Sequence, residues 1–449
     1  MTAIFPMMPA NYVTASQDYA VTVNDQEVFV YPTAVGSYAV LSAEGEQHVR
    51  VTTKFAFHSV QIRPLHLSIE PIVEGRSVSF ELSQPCKVVL EFDGDLLHPL
   101  FLLINPPETE KPDPEDHHVH YFAAGRVHEV GQLVLRSGET VYIEEGAVVR
   151  GTIFSERSNH VSISGRGILD ASGWRLGAKG GLNPPSRDSA DEVPQPVIQF
   201  INCHRVLIEG ITVVDGPSWH VVPTASTNVR IRDLNIITEN GTGDGVDVVG
   251  CKNVDITNCF IRSKDDCIAL KAVDYHHPDG CRNVEHIRVR DCVLWNAQWG
   301  NAIEIGYETQ CDEIHDVVVQ NCDILHCEFE GYQSGGVFTI HNGDRAIIHN
   351  VLYEDIRVED AQEKLIDQKI LRSKYSHDEE RGQIRNIRYR NISVLSGAFP
   401  VSIIQGYDSE HMVNGVTIDN LTVHGDVIKS AIGARMVVEL ARQVHFRAR

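Results

Sequence analysis

Residues 253–261 read NVDITNCFI, and this pattern of polar and apolar residues recurs along most of the chain. A polar residue, often Asn, opens each copy, apolar residues then alternate with polar ones, and a second apolar pair closes it. Further copies begin at residues 159, 202, 228, 286, 315, 349, 385 and 414. Val206, Val229 and Val254 occupy equivalent places that are 23 and 25 residues apart. Repeats of this length, with short strands and no helical period, predict a β-solenoid.

Three aspartates lie about one repeat apart. Asp265 and Asp266 follow Asp244 by 21 and 22 residues, so a solenoid brings the three carboxylates together on one face. Carboxylates held together repel each other, which raises the pKa of at least one, so that it carries a proton while another stays ionised. Hydrolysis of a glycosidic bond needs that division between a proton donor and a base that activates water. Any one of these acids could instead be a turn residue, and for Asp247 we adopt that interpretation.

The stretch from GPSWHVVP (216–223) through GTGDGVD to SKDDCIALK, ending at residue 271, resembles the polygalacturonase-type glycoside hydrolases of family 28. The corresponding motifs of that family read N-T-D and D-D-C, and the similarity extends from about residue 127 to about residue 425. The resemblance implies a right-handed parallel β-helix and hydrolysis with inversion. It also implies that Asp265 is the general acid, and we assign Asp244 and Asp266 to hold and deprotonate the attacking water.

Two further motifs of that family are altered in this chain. The family's G-H-G and R-I-K motifs line the subsite of the galacturonate carboxylate, and the aligned stretches here are WGNAIEIGYE (299–308) and GGVFTIHNG (335–343). Asn301 takes the place of the His, while Thr339 and His341 take those of the Arg and the Lys. Loss of both cations removes the groups that would hold a uronate carboxylate. We therefore predict a neutral or weakly charged oligo- or polysaccharide substrate, with a galacturonan-type (pectin) hydrolase as the alternative.

A looser similarity points the same way. The WGNAIEIGYE stretch, with a sandwich ahead of the helix, is similar to the dextranase and isopullulanase family, which shares the fold and the three acids but cleaves neutral α-glucans.

Several residues near these motifs are candidate sugar contacts. The rings of Trp219 and Trp299 match the C–H face of a pyranose, although Trp219 could equally be a buried ring. Lys271 could contact substrate or lower the pKa of the aspartate pair, and His341 could bond a sugar hydroxyl or be a surface histidine. Glu304 points outward between inward-facing neighbours and would extend the groove. The predicted substrate-binding set is Lys271, Trp299, Asn301, Glu304, His341 and Trp219.

The chain divides near a segment rich in proline and acid, NPPETEKPDPEDHHVH at 105–120, which cannot continue a β-ladder. Before it, alternating runs such as EVFVYP, HVRVTT and SVSFEL predict an all-β sandwich. We therefore expect an N-terminal β-sandwich domain at 1–115 and a right-handed parallel β-helix catalytic domain at 116–430.

The remaining tail, 431–449, is predicted to form a capping helix. Ile428, Ile432, Met436, Leu440 and Val444 follow each other at four-residue spacing, which is typical of an amphipathic helix. A contact in a homo-oligomer is the alternative. Insertions at 174–196, 272–280 and 361–383 are expected to line the binding groove, although 361–383 could equally be a helix-containing surface excursion.

Composition excludes several functions. A formal charge of −22 without a Lys/Arg cluster argues against nucleic acid or an anionic membrane as a partner. The first twenty residues lack the charged and apolar segments of a signal peptide, so we expect a cytoplasmic protein. Cys259, Cys292 and Cys322 share one place in the repeat, which favours free thiols over disulfides among the ten cysteines. The chain lacks CxxC and His/Cys metal spacings, so no metal or cofactor is expected.

These observations predict an inverting glycoside hydrolase with Asp244, Asp265 and Asp266 as its catalytic residues. A lyase on the same scaffold is disfavoured by the lost uronate ligands. A non-catalytic carbohydrate-binding β-helix protein is the other alternative, although such a protein has no need of three converging carboxylates.

Overall fold

The computed structural model describes residue 9 and residues 11–172, 195–328 and 335–448. Its first ten strands form two five-stranded sheets, ordered β2-β1-β5-β8-β7 and β3-β4-β10-β9-β6. The strands are β1 (Tyr19–Val23), β2 (Gln26–Val28), β3 (Tyr31–Thr33), β4 (Gly36–Ser42), β5 (Gln47–Thr53), β6 (Val60–Arg63), β7 (Ile72–Glu74), β8 (Ser77–Leu82), β9 (Lys87–Phe92) and β10 (Leu100–Asn105). Inward-facing apolar side chains of both sheets form one core, as alternation along each strand predicts for a sandwich.

The following strands wind into a right-handed parallel β-helix. They are β11 (Val119–Phe122), β12 (Val127–Val134), β13 (Thr140–Ile143), β14 (Val148–Glu156), β15 (Asn159–Gly165), β16 (Ile168–Asp170), β17 (Ile198–Ile201), β18 (His204–Glu209), β19 (Thr212–Val214), β20 (Val221–Thr224), β21 (Thr227–Arg232), β22 (Asn235–Ile237), β23 (Val246–Val249), β24 (Lys252–Thr257), β25 (Phe260–Ser263), β26 (Ile268–Ala272), β27 (Val284–Arg290), β28 (Val293–Asn296), β29 (Ile303–Thr309), β30 (Glu313–Gln320), β31 (Asp323–Cys327), β32 (Phe338–Asn342), β33 (Ile347–Val358), β34 (Lys364–Ile370), β35 (Gln383–Val394), β36 (Val401–Gln405), β37 (Val413–Val423), β38 (Asp426–Ile428), β39 (Met436–Glu439) and β40 (Ala441–Arg447). The predicted fold class is confirmed.

Successive coils pair in parallel to form three stacks of strands. The first stack runs through β11, β13, β15, β18, β21, β24, β27, β30, β33, β35, β37 and β40. The second stack contains β12, β14, β16, β19, β22, β25, β28 and β31, and the third contains β17, β20, β23, β26, β29, β32, β34, β36 and β39. Each strand is in register with the equivalent strand of the next coil, for example Val229 beside Val254 and Val254 beside Ile287.

Asparagines of the repeat mark bends of the chain, at the second residue of β21 and of β24 and between β24 and β25. Asn228, Asn253 and Asn258 have φ of 56°, 57° and 51°, in the left-handed region that Asn tolerates better than most residues. Their amides also join neighbouring coils, since Asn253 Nδ2 donates to Asn228 Oδ1 at 3.2 Å and Asn258 Nδ2 to Asp233 Oδ1 at 2.6 Å. The repeat therefore encodes both the turn and the stacking of the turns. Between these bends, inward-facing apolar residues fill the helix, and the ten cysteines are free thiols.

The sandwich packs against the outer face of the second stack. Phe101 of β10 contacts the rings of Phe260 and Trp295 at centroid distances of 5.5 and 5.8 Å. These residues belong to a shared core that joins the second sandwich sheet to β14, β16, β19, β22, β25, β28 and β31. The sandwich therefore covers the strands that lead into the turns where the predicted acids lie.

Buried charges also join the two parts. Arg63 Nε lies 2.9 Å from Glu91 Oε1, and Arg63 Nη1 lies 2.6 Å from Glu359 Oε2. His326 Nε2 approaches Glu91 Oε1 at 2.5 Å, and its Nδ1 approaches Asp360 Oδ2 at 3.1 Å. Each carboxylate in this network faces a cation from the other part of the molecule or from the adjacent coil.

The C-terminal segment corrects the prediction of a capping helix. Residues 426–428, 436–439 and 441–447 are strands, with β38 folding back antiparallel on β37 and with β39 and β40 extending the third and first stacks. The last coil leaves an open edge of backbone donors and acceptors, and pairing with that edge satisfies them where an isolated helix would not. Ile432 is 91% exposed, so the four-residue apolar spacing does not correspond to a buried face.

The predicted insertions have different outcomes. Residues 173–194, which make up almost all of the 174–196 insertion, lie outside the described residues. The 272–280 insertion is a loop with a short 3-10 turn at Pro278–Cys281, and the 361–383 insertion contributes strand β34 to the third stack. Among the described residues, no helix is long and apolar enough to span a membrane.

Replacing Arg63 by Met should lower the free energy of unfolding by about 3 kcal/mol, because Glu91 and Glu359 would stay buried without this counter-charge. Denaturant titration followed by tryptophan fluorescence measures the effect. The control is Arg50→Met, which breaks an exposed pair with Glu74 at 3.8 Å and should change stability by less than about 0.5 kcal/mol. Equal effects of the two substitutions would contradict a structural role for the interface network.

Candidate active site

The three predicted acids converge at the turn that leads into the third stack. Asp244 lies two residues before β23, and Asp265 and Asp266 lie between β25 and β26, one coil later. One carboxylate oxygen of each lies within 4.8 Å of the others. Asp244 and Asp266 are buried at 1% and 6% exposure, whereas Asp265 is half-buried and has the most access to solvent. Parallel stacking thus brings together residues more than twenty positions apart, as the spacing predicted.

Lys271 on β26 supplies the positive charge of this cluster. Its Nζ lies 2.7 Å from Asp244 Oδ2, 3.0 Å from Asp247 Oδ1 and 3.7 Å from Asp266 Oδ2. The same ammonium lies 4.2 Å from the centroid of the Trp219 ring. Because Lys271 is buried and engaged by three carboxylates, the geometry favours an electrostatic role over contact with substrate.

Asp247 corrects the sequence interpretation, which treated it as a turn residue. It lies on β23 between the inward-facing Val246 and Val248, so its side chain points to the same outer face as Lys271. The carboxylate is fully buried, and burial raises its pKa to about 6 although Lys271 lowers it. The alternation V-D-V in a strand was the signal that could have identified it.

The cluster keeps at least one proton at neutral pH. Burial is the main cause that raises the pKa of Asp266 to about 8, Lys271 opposes it, and the charges of Asp244 and Glu304 add to it. Burial and the charge of Asp247 raise the pKa of Asp244 well above its ordinary value. Burial alone would lower the pKa of Lys271, but its carboxylate neighbours raise it instead, so the ammonium stays charged. One acid is therefore protonated beside another that is ionised.

Asn301 orients Asp266. Its backbone nitrogen and its Nδ2 both donate to Asp266 Oδ1, at 2.9 and 2.8 Å, and its own Oδ1 accepts from the nitrogen of Gly336 at 3.0 Å. The side chain is buried, and all of these bonds stay within the protein. Its predicted contact with substrate does not fit this arrangement.

Glu304 and His341 lie deeper than the sequence predicted. Both side chains are fully buried, with His341 Nδ1 2.9 Å from Glu304 Oε2. The Tyr307 ring stacks on the imidazole at a centroid distance of 4.4 Å. Thr339, at the other altered position of the motif, is buried too, and its hydroxyl donates to the carbonyl of Ile303. The exposed positions predicted for Glu304 and His341 do not fit this burial, because the next coil and Tyr307 cover both side chains.

Trp299 and Trp219 differ in their exposure to solvent. Trp299 is 36% exposed, and its ring packs so tightly on Gly241 that a Cβ there would come within 2.4 Å of Cζ3. Lys264 Nζ lies 5.5 Å from the centroid of the same ring. Trp219 is half-buried against Val222 and Val249, which fits the alternative of a structural ring. Trp299 is thus the better platform for a sugar.

The three converging carboxylate oxygens are near enough for a hard cation, which prefers oxygen ligands. Lys271 already brings an ammonium within 2.7 Å of Asp244, so charge compensation at this cluster does not require a metal.

Comparison with known proteins matches the family model described as Glycosyl hydrolases family 28 over residues 129–438. A probable polygalacturonase of Arabidopsis thaliana is 26% identical over 38% of this chain, and the polygalacturonase QRT2 of the same plant is 20% identical over 61%. These alignments span 34% and 59% of the relatives' own lengths.

Two solved structures share the fold over nearly the whole chain. Dex49A from Penicillium minioluteum aligns with a TM-score of 0.60 and 13% identity, covering 94% of this chain and 92% of its own. A family 28 exopolygalacturonase of Yersinia enterocolitica aligns with a TM-score of 0.56 and 14% identity, covering 94% and 96%.

The titration of the carboxyl groups in this cluster should make the free energy of unfolding depend on pH. Asp266 has a higher pKa in the folded state than the ordinary value of about 4, so the folded protein binds more protons and the free energy of unfolding falls as pH rises from about 4 to about 8. Lys271→Met raises these folded-state pKa values further, and should cost about 3 kcal/mol at pH 8 and clearly less at pH 5.

Denaturant midpoints at pH 5, 7 and 8 test this dependence. Lys252→Met, which removes an exposed partner of Glu285, is the control and should cost less than about 0.5 kcal/mol at every pH. If the loss of unfolding free energy in Lys271→Met, relative to the parent, were the same at every pH, the coupling between the ammonium and the acids would be contradicted.

Proposed function

Because this chain belongs to glycosyl hydrolases family 28, we propose that it hydrolyses a galacturonan-type oligo- or polysaccharide with inversion at the anomeric carbon. Polygalacturonases among the relatives support this choice of substrate class. They do not support the neutral substrate predicted from Thr339 and His341, and the galacturonan alternative replaces it.

The convergence of Asp244, Asp265 and Asp266 is the observation that carries the proposal. Asp265 is the most accessible of the three and lies at the edge of the cluster, where a leaving oxygen can receive its proton. The buried pair, Asp244 and Asp266, holds the attacking water, with Lys271 keeping negative charge on the pair. A binding module without turnover would have no use for acids that share protons in this way.

The spacing of the acids makes the stereochemical outcome informative. Inverting pairs usually stand about 6.5–9.5 Å apart, whereas the nearest oxygens here lie within 4.8 Å. We reconcile this spacing with inversion by assigning the water to two carboxylates together, Asp244 and Asp266. Retention of configuration would require one of them to act as a nucleophile.

A uronate substrate needs a cation, and Lys264 is the candidate. It directly precedes Asp265, is 22% exposed and lies beside the Trp299 ring. Glu239 bonds Lys264 at 2.7 Å with one oxygen and Arg262 at 2.5 Å with the other. One carboxylate shared by two cations leaves a net positive charge, which is available to the carboxylate of an incoming sugar.

Asp265→Asn should reduce turnover of oligogalacturonate by about 100-fold or more, because an amide cannot protonate the leaving group. The loss should appear in kcat while the thermal unfolding temperature stays near that of the parent. Proton NMR of the first product formed by the parent should show the inverted anomer.

Asp255→Asn, on the first stack away from the cluster, is the matched control and should keep parental activity. Binding of oligosaccharide by the parent without any turnover would contradict the enzymatic proposal. A retained anomer would contradict the roles given to the buried pair.

Lys264→Met should raise KM for oligogalacturonate about tenfold or more, since a hydrogen bond to a charged group contributes about 1.5–3 kcal/mol. Lys264→Arg keeps the charge and should keep most of the affinity. Initial rates on oligogalacturonate and on a neutral glucan oligosaccharide measure the difference. A parent protein that prefers the neutral oligosaccharide would overturn the substrate class while leaving the hydrolytic proposal intact.

A further inference from the structure

His220 lies in the stretch GPSWHVVP at 216–223, which has no part in the chemistry proposed above. It directly precedes β20 of the third stack, one coil before Asp244, and its side chain is fully buried. The backbone nitrogen of His220 donates to the carbonyl oxygen of Asp244 at 3.0 Å, as pairing between the two coils requires. The imidazole Nδ1 lies 2.9 Å from the same oxygen. One carbonyl group thus receives a backbone and a side-chain hydrogen bond from a single residue.

The carbonyl of Asp244 determines which imidazole nitrogen of His220 carries the hydrogen. A carbonyl oxygen only accepts hydrogen bonds, so Nδ1 is the donor. Burial lowers the pKa of His220 to about 4, although its contacts with the carbonyls of Asp244 and Asp215 oppose this effect. The imidazole therefore stays neutral at neutral pH, and the bond does not depend on a charge on the ring.

The peptide group between Asp244 and Gly245 is held from both sides. His220 donates twice to its carbonyl, and the nitrogen of Gly245 donates to the carbonyl of Asp266 at 2.8 Å. Because a peptide group is planar and rigid, these bonds set the position of Asp244 relative to Asp266. These two acids are the ones assigned to the attacking water.

The backbone around Asp244 is flexible by composition. Asp244 lies between Gly243 and Gly245, and glycine restricts the chain less than any other residue. A Cβ on Gly243 would come within 2.8 Å of the carbonyl oxygen of Asn240, and one on Gly245 within 2.5 Å of that of Cys267. Close packing thus requires glycine on both sides of the acid, and the bond from the imidazole limits the freedom that these glycines give the chain.

Trp219, the residue before His220, supports the other end of Asp244. Lys271 Nζ lies 4.2 Å from the centroid of the Trp219 ring and 2.7 Å from Asp244 Oδ2. Asp244 is therefore held at its carbonyl by His220 and at its carboxylate by the ammonium that Trp219 covers.

We infer that His220 is a positioning residue that fixes the peptide group of Asp244 and, through it, the placement of the two acids that hold the attacking water. Because its side chain is fully buried, it acts through the main chain of Asp244 and not on the sugar. The inference rests on the proposed function for the roles of Asp244 and Asp266, but not for the hydrogen bond itself.

His220→Leu keeps a side chain of similar size without a donor. It should lower kcat on oligogalacturonate about 100-fold and leave KM within about twofold of the parent, since a displacement of about 1 Å costs about this much in rate. His220→Asn places an amide N–H as many bonds from the backbone as Nδ1, and should recover kcat to within about tenfold of the parent. Initial rates over a range of substrate concentrations separate kcat from KM.

Val221→Ala is the control that separates positioning from stability. Val221 is the next residue and is fully buried, but its side chain packs in the core of the β-helix. Its truncation should lower the thermal unfolding temperature and leave kcat within about twofold of the parent. An equal loss of kcat in Val221→Ala and His220→Leu, or no recovery in His220→Asn, would show a merely structural role and overturn the inference.

Nitrogen-15 NMR of the His220 ring, assigned by the absence of its signals in His220→Asn, tests the hydrogen bond without turnover. The parent at pH 7 should show a neutral ring with its hydrogen on Nδ1. If it does so while cleaving no glycan, the hold on Asp244 stands and the proposed function fails. A hydrogen on Nε2 instead would overturn the inference whatever the activity.

Discussion

The parallel register between successive coils is the constraint on which the rest of this molecule depends. Each strand satisfies its backbone only by pairing with the coil before and after it, which places equivalent side chains about 4.8 Å apart. In the third stack one such row runs through Asp247, Ala269, Glu304, Thr339 and Asp367. Backbone pairing, which does not depend on the type of side chain, thus places the carboxylates of Asp247, Glu304 and Asp367 in one buried row.

Cations placed beside these buried carboxylates offset the desolvation penalty that the register imposes on them. Isolated carboxylates at zero exposure would ionise only at a large desolvation penalty. Lys271 lies between Asp244, Asp247 and Asp266, His341 between Glu304 and Asp367, and Lys369 beyond Asp367. Compensation is incomplete at the first of these sites, where three acids share one ammonium. Burial raises the pKa of Asp266, and the excess negative charge adds to it, so a proton stays in this cluster at neutral pH, beside the most accessible acid, Asp265.

Features that depend on the spacing of residues along the chain can be predicted from the sequence. The burial of individual side chains cannot, because it depends on residues that are distant in the sequence. The solenoid and the meeting of Asp244 with Asp265 and Asp266 follow from repeat spacing, and the sandwich follows from the alternation of apolar and polar residues in its strands. Glu304 and His341 point outward from their strands, as the alternation of side chains requires. Both are nevertheless buried, because Tyr307 and neighbouring coils cover them. The prediction of a C-terminal helix was wrong for a related reason. Residues 436–447 form strands because they pair with the open edge of the last coil, and the local spacing of apolar residues contains no information about that edge.

The sandwich has a physical connection to the acids, although it lies on a different face. Phe101 packs on Trp295 in the second stack, and the next residue, Asn296, donates from Nδ2 to the carbonyl of Asp265 at 2.7 Å. Ser263 Oγ donates to the same carbonyl at 2.8 Å from the end of β25, whose Phe260 also contacts Phe101. The backbone of the most accessible acid is therefore held by two strands that the sandwich covers. In the mechanism proposed above, Asp265 is the proton donor and has to stay within a fraction of an ångström of its working position. The sandwich would then support the chemistry by holding this backbone in place, without contacting the substrate.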